Sequence, residues 1–212
     1  MSDRVSLWLA RHGETVWHAE NRYAGGDSDI DLTSAGHEQA SDLGRWSLRH
    51  GIEVVVSSPV RRAQETAQPS ASAIGADLVV CPGLKEVAFG VAEGRTAAEI
   101  ESSDAAVMAA FRDDPVANPF PGAESAADAA ARGAGTLREI AAEHAGRKVL
   151  VVAHNTLLRL ALCELLGIPP AQYRRVFPRL DNTAVAEVVV PLHGHGLAAL
   201  RSLNVPTRAA PT

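Results

Sequence analysis

An arginine beside a histidine in Arg11-His12-Gly13-Glu14-Thr15, with Arg62, Glu86 and His154 farther along, supplies the residue types that a phosphoryl transfer requires. Such a transfer needs cations to hold the equatorial oxygens, an in-line nucleophile, and an acid to protonate the leaving oxygen. Arg11 and Arg62 offer planar forks that grip phosphate, where a lysine would be a point charge. His12 attacks only as the neutral base, and neighbouring arginines lower its pKa by opposing a further positive charge. Glu86, after the turn at Pro82-Gly83, is placed to be the acid. Each residue also has a plain reading. An Arg-His pair after a strand is commonly a surface turn, and Ser58-Pro59 followed by Arg61-Arg62 is a helix start with a solvated basic face. His154 behind an apolar strand can be a core histidine, and Lys85-Glu86 can be an exposed pair. Their joint occurrence is what favours chemistry.

The elements that must position these residues follow from short apolar runs and their stops. Val5–Ala10 reads as a buried strand that delivers residues 11–15 to its C-terminal end. Thr33 can cap a helix carrying Ala40, Leu43, Trp46 and Leu48, with Gly51 as its stop. Val54-Val55-Val56 is a second buried strand, a helix runs from Val60 to Ile74 with Gly75 behind it, and Leu78-Val79-Val80 is a third strand. The middle third is Ala-rich, with Pro115, Pro119 and Pro121 in one loop between helical stretches at 96–111 and 124–144. It reads as a helical cap inserted at about 90–130. Val149–Ala153 is the clearest strand and ends on His154, with a helix from Thr156 to Leu166 after it. Strands at about 183–190 and 197–203 flank a hairpin turn at Pro191–Gly196. The expected fold is a three-layer α/β/α sandwich on a mostly parallel sheet, one domain over 1–206 with a flexible tail at 207–212. Such sheets bind ligands beyond the carboxyl ends of their strands, where Arg11-His12 and His154 fall.

Composition narrows the partners. A net charge of −5 over 212 residues lacks the basic excess of a nucleic-acid surface, so any phosphate affinity must be local. Aromatics are only 4% of the chain, which leaves the packing to Ala, Val and Leu. Cys81 and Cys163 show neither zinc nor redox spacing and read as buried free thiols. The N-terminal apolar run is too short for a signal-peptide core or a membrane span, so the chain is read as cytoplasmic with no membrane partner. The remaining histidines, His37, His50, His144, His193 and His195, read as solvated surface residues.

Arg11-His12-Gly13-Glu14-Thr15 resembles the signature of the histidine phosphatase superfamily, in its phosphoglycerate-mutase-like branch. Asp29-Ile30-Asp31-Leu32-Thr33 with Gly36 is similar to its D-x-x-L-T-x-x-G stretch, and Ser57–Ala67 to its S-S-x-x-x-R-A-x-x-T-A helix start. Leu84-Lys85-Glu86 with Phe89-Gly90 and Glu93-Gly94 resembles the segment that bears the general acid. Pro121–Ser125 resembles a P-G-x-E-S turn in the cap, and Val152-Ala153-His154 the strand of the second histidine. The resemblance implies that Arg62, not Arg61, is the phosphate ligand. It implies that His12 becomes phosphorylated while Glu86 protonates the leaving alcohol, that Arg11, Arg62 and His154 hold the phosphoryl group, and that no metal or cofactor is needed. His18 stands where the family often has Asn as a phosphate ligand, Asn155 where glycine is usual after the second histidine, and Ala92 where tryptophan is common, a change expected to open the wall near Glu86. Gly25, Glu124 and Ser125 are further candidates for contacts to substrate, with Arg132 beside them in the cap.

Hydrolysis of a small phosphate ester, a sugar phosphate or a phosphoglycerate-like compound, is the first functional expectation, because the stretch between the acid and the second histidine is short for a mutase. A cofactor-dependent mutase is the second, and a non-catalytic phosphate-ester binder on the same fold the third. A homodimer through the C-terminal apolar strands is a further expectation.

Overall fold

The computed structural model describes residues 4–192 and 196–208. Six strands form one sheet in the order β3-β2-β4-β1-β5-β6. They are β1 (Arg4–Arg11), β2 (Val54–Ser57), β3 (Leu78–Val80), β4 (Val149–Ala153), β5 (Val185–Pro191) and β6 (Ala199–Val205). The first four run parallel, while β5 pairs antiparallel with β1 and β6 with β5. Every residue of β4 is buried, as expected for a central strand covered on both faces.

Those faces divide by alternation along the strands. Leu7 and Leu9 of β1 and Val149 and Val151 of β4 point to a cluster closed by α6 (Ala126–Glu143) and α7 (Asn155–Leu166). Ala10, Leu150 and Val152 point to the other face, closed by α2 (Ser34–His50) and α3 (Arg61–Ile74). Burying each such Leu or Val contributes about 1.5–3 kcal/mol, and this sets the register that carries the site residues. The Thr33 hydroxyl caps α2 by accepting from Gly36 N at 3.0 Å, and Gly51, Gly75 and Gly167 close α2, α3 and α7 with φ near +70°. The three layers and the mostly parallel sheet are those expected.

The cap differs in detail from the sequence reading. The single helix expected over 96–111 is two, α4 (Ala97–Ser103) and α5 (Ala105–Asp113). Asp104 breaks it because its carboxylate accepts from Val107 N at 3.0 Å and so caps the second helix. Ala92, Ile100, Met108, Phe111 and Phe120 form a small core here, with Phe111 and Phe120 stacked at 3.9 Å. Ala92 is therefore packing for the cap rather than a gap beside Glu86. Of the proposed tail, Thr207 is buried and residues 209–212 lie outside the described ones; His193 and His195 also lie outside them. Cys163 is buried and Cys81 partly so, both free. His50 is exposed but stacks on Trp46 at 4.1 Å. Among the described residues no helix is long and apolar enough to cross a membrane.

Candidate active site

Arg11 and Ala153 are register partners on the adjacent parallel strands β1 and β4, so His12 and His154 emerge side by side from neighbouring strand ends. His12 N donates to Ala153 O at 2.9 Å, and the two imidazole centroids are 5.2 Å apart. That separation is close to the spacing of hydrogen-bonded strands.

The segment after His12 is fastened to the helices around it. Gly13 N donates to the Thr66 hydroxyl at 2.9 Å, the Thr66 hydroxyl donates to Arg62 O at 2.6 Å, and Asn182 Nδ2 donates to His12 O at 2.8 Å. Gly13 crosses Gly36 so closely that a Cβ on Gly13 would lie 2.8 Å from Gly36 O, and one on Gly36 would lie 2.2 Å from Glu14 O. Both glycines are thus required by the approach of two backbones.

Partners assign the protons. His12 Nδ1 faces Gly13 O at 2.8 Å and must donate to it, which leaves Nε2 as the lone-pair nitrogen. Arg62 Nε donates to that Nε2 at 3.2 Å. Arg62 is 1% exposed, and its terminal nitrogens donate to Ser28 O at 2.9 Å and Gly25 O at 3.0 Å, so neutral carbonyls hold the fork without cancelling its charge. A further Arg62 N–H reaches His154 Nδ1 at 3.2 Å, and because guanidinium can only donate, His154 carries its proton on Nε2, 2.7 Å from the Ser58 hydroxyl. Burial, then the charge of Arg62, hold both imidazoles well below the ordinary histidine pKa. Both are neutral at pH 7.

Arg11 donates to Leu180 O at 3.0 Å and contacts His18 Nε2, while its buried Nε has no partner among the described residues. Burial lowers its pKa to about 10, which leaves it a cation. Glu86 is 5% exposed and accepts from Val87 N at 2.9 Å and from Thr156 N and Leu157 N, at 3.1 and 2.8 Å, in the first turn of α7. Burial raises its pKa and those three N–H donors oppose the rise, so protonated and ionised forms are both supported.

Arg11, His12, His18 and Glu86 line one cavity of about 300 Å³, while Arg62 and His154 do not line it and stand against His12. Among the described residues no cluster of three or more His, Cys, Asp or Glu could hold a metal ion. The sequence profile of the histidine phosphatase superfamily (branch 1) matches residues 7–204. The chain belongs to that superfamily. It is 33% identical over 184 residues to a probable phosphoglycerate mutase GpmB of Yersinia enterocolitica, covering 87% of this chain and 84% of that one. Its fold superimposes on a mycobacterial glucosyl-3-phosphoglycerate phosphatase with a TM-score of 0.82 at 26% identity, over 95% of this chain and 99% of that one. The α-ribazole phosphatase of Shigella flexneri gives 0.83 at 26% identity, over 98% and 100%.

Against the superfamily pattern, the structure brings Arg11, His12, Arg62, Glu86 and His154 together and sorts the remaining candidates. His18 does reach the cavity: its Nδ1 accepts from Thr15 N at 2.9 Å and lies 2.9 Å from the Thr15 hydroxyl, and Arg11 contacts its Nε2; burial lowers its pKa to about 4. Asn155 also lines the cavity, as the first residue of α7 with ordinary φ, and its side chain accepts from Leu180 N at 3.2 Å. Gly25 does not line it. Its N–H is taken by Glu93 at 2.9 Å and its carbonyl by Arg62, so it aims Arg62 rather than binding phosphate. Glu124 is paired with Arg132 at 2.7 Å, and Ser125 caps α6 by accepting from Asp128 N at 3.0 Å; neither lines the cavity. Arg61 is the surface residue expected, paired with Asp29 and Asp31. Sequence reasoning passed over Thr66, Ser58 and Asn182, which hold the loop and both histidines, and Arg159, Tyr173 and Arg174, which line the far end of the cavity. Ser58 and Thr66 sit within the helix-start motif already singled out; the others follow no recognisable spacing.

Proposed function

We propose that this superfamily member is a metal-independent phosphomonoesterase that hydrolyses small phosphate esters through a phosphohistidine on His12. The observation that carries this is the tautomer of His12: Nδ1–H is spent on Gly13 O, which leaves the lone pair on Nε2, held by Arg62 Nε in a residue that lines the cavity. In the first step Nε2 attacks phosphorus and the bond to the ester oxygen breaks. That oxygen takes the proton of the Glu86 carboxyl group and departs as the alcohol. In the second step the Glu86 carboxylate takes a proton from water, the oxygen attacks phosphorus, and the P–N electron pair returns to Nε2. Inorganic phosphate leaves, with Glu86 protonated again. Such acid–base assistance is worth about 10²–10⁴-fold in rate. Arg11 and Arg62 hold the phosphoryl oxygens, and His154, bridging Arg62 and Ser58, keeps the Arg62 fork aimed.

Two structural neighbours are phosphatases by name, which supports hydrolysis. The Yersinia relative is named a probable mutase, so a second reading is transfer from His12 to another hydroxyl. Incubation with a panel of phosphate monoesters tests both: release of inorganic phosphate together with an acid-labile phosphoenzyme that is lost in His12→Ala is the expected result. Isomerisation of phosphoglycerate that depends on a bisphosphoglycerate primer, with little free phosphate, would establish the second reading instead.

A further inference from the structure

Glu93 follows the short helical turn Gly90–Ala92 and is half-buried, outside the cavity that His12 lines. Its carboxylate is filled by uncharged donors. Oε2 accepts from Gly25 N at 2.9 Å and from the Ser28 hydroxyl at 2.5 Å, and Oε1 accepts from Phe89 N at 3.0 Å. The same stretch, residues 24–28, supplies the carbonyls that hold Arg62: Ser28 O at 2.9 Å, Gly25 O at 3.0 Å and Ala24 O at 3.3 Å. One peptide group therefore lies between the two charges. In the peptide joining Ala24 to Gly25, the C=O accepts from Arg62 and the N–H donates to Glu93.

A guanidinium on one side of a peptide and a carboxylate on the other polarise it in the same sense, so each hydrogen bond strengthens the other. Direct pairing would cancel the charge that Arg62 needs for a phosphoryl oxygen, whereas a spacer of one peptide lets Glu93 orient the fork and leaves that charge available. Burial lowers the Arg62 pKa, and the negative charges of Glu86, Glu93 and Asp29 oppose that fall. The neighbouring cation is treated differently, since Asp29 and Asp31 pair with Arg61 directly. Packing makes the contact close. A Cβ on Gly25 would lie 1.8 Å from Glu93 Oε1 and 2.8 Å from Val87 O, so only glycine at 25 lets the carboxylate reach the stretch that holds Arg62.

We propose that Glu93 is a positioning residue for phosphoryl transfer, which acts through residues 24–28 to fix the plane in which Arg62 meets His12 and the transferring group. This rests on the phosphoryl-transfer reading of the site, and it extends that site to a residue that touches neither His12 nor the ester.

A double-mutant cycle tests it. Glu93→Gln replaces one acceptor oxygen with an NH2 group, which cannot receive the donors that the carboxylate receives. Phosphate release is expected to lose roughly tenfold in kcat, the scale of one charge-assisted hydrogen bond, with KM within about threefold, because a misaimed fork costs more in the transition state than in the bound ester. Independent residues multiply their effects to within roughly twofold. In the Arg62→Lys background, where no fork remains to be aimed, Glu93→Gln should instead cost less than about threefold further. A full tenfold loss in that background, or wild-type kcat in Glu93→Gln itself, would overturn the proposal. Ser28→Ala reads the same coupling with the carboxylate left in place, because it removes one donor to Glu93 and keeps the Ser28 carbonyl. A smaller loss of kcat that disappears in Arg62→Lys is expected; an equal loss in both backgrounds, or none in either, rejects the role. Calorimetric binding of orthovanadate needs no turnover and so separates this inference from the hydrolytic reading. Weaker vanadate binding in Glu93→Gln supports the positioning role even if no ester is hydrolysed, and unchanged affinity rejects it.

Discussion

Arg62 Nε donates to His12 Nε2 across 3.2 Å, so the buried guanidinium is aimed at the lone pair of the proposed nucleophile. Its terminal nitrogens also donate to Ser28 O, Gly25 O and His154, which fixes the plane of the fork and leaves one N–H uncommitted. Geometry and charge can therefore be separated by mutation.

Arg62→Lys keeps the charge and loses the fork. A lysine gathers its three donors on one nitrogen and cannot reach His12, His154 and the two carbonyls that the three nitrogens of the planar fork reach together. We expect kcat to fall by about 10²–10³, the loss typical for one preorganised transition-state donor. A variant within fivefold of wild type by steady-state phosphate release would mean that charge alone suffices.

Glu86→Gln should slow esters of poor leaving alcohols far more than p-nitrophenyl phosphate, whose leaving group needs no proton. Equal loss on both esters counts against Glu86 as the acid. The sign with pH follows from its raised pKa: the acid form is populated below that value, so activity on alkyl esters declines as pH rises through it. That alkaline limb lies above the ordinary carboxylate range and should vanish in Glu86→Gln, measured on the same ester so that substrate ionisation cancels.

The main strands were legible in the sequence because their signals are local, whereas the candidate site residues stood out only together and through the resemblance to the superfamily. Val149–Ala153 is an unbroken apolar run beside a histidine, Thr33 and Gly51 bracket a helix, and Arg62 is separable from Arg61 only by the resemblance of its segment to the superfamily's helix start. The cap was less legible. Asp104 is a helix-capping type in a stretch whose alanines continue the helical pattern across it, and Ser125 with Asp128 is a cap that can be mistaken for a ligand pair. The far wall of the cavity could not be read at all. Arg159, Tyr173 and Arg174 meet Phe111 only through packing between α7, the short helix α8 (Tyr173–Val176) and the cap, and no spacing in the chain announces that meeting.

Stability should fall on the acid side of neutrality. His12, His18 and His154 have pKa values depressed below the unfolded value near 6.5, so below that pH the unfolded chain binds protons that the folded one refuses. The folded state accordingly loses free energy as pH drops from about 6.5, and for His18 the loss continues until about pH 4. One proton corresponds to about 1.4 kcal/mol per pH unit. Urea unfolding of His18→Asn should therefore depend less steeply on pH between 6.5 and 5 than wild type, by up to one proton. Parallel curves would show that His18 titrates alike in both states.

Turnover should be unaffected by a chelator such as EDTA, since the proposed steps draw only on Arg11, His12, Arg62, Glu86 and His154. Loss of phosphate release on chelation, restored by added magnesium or zinc, would refute the metal-free route.

The side-by-side emergence of His12 and His154 has a consequence for how such a protein can diverge. Their separation is set by the pairing of Arg11 with Ala153 in the sheet, not by the loops or the cap, so the peptide lattice itself acts as a ruler for the reacting end. The cap and α8 can be exchanged or rebuilt without touching that ruler, whereas a one-residue slip of β1 along β4 would turn His12 to the opposite face. On the proposed roles, reactivity and substrate choice are inherited on different parts of the chain, and one can drift while the other stands still.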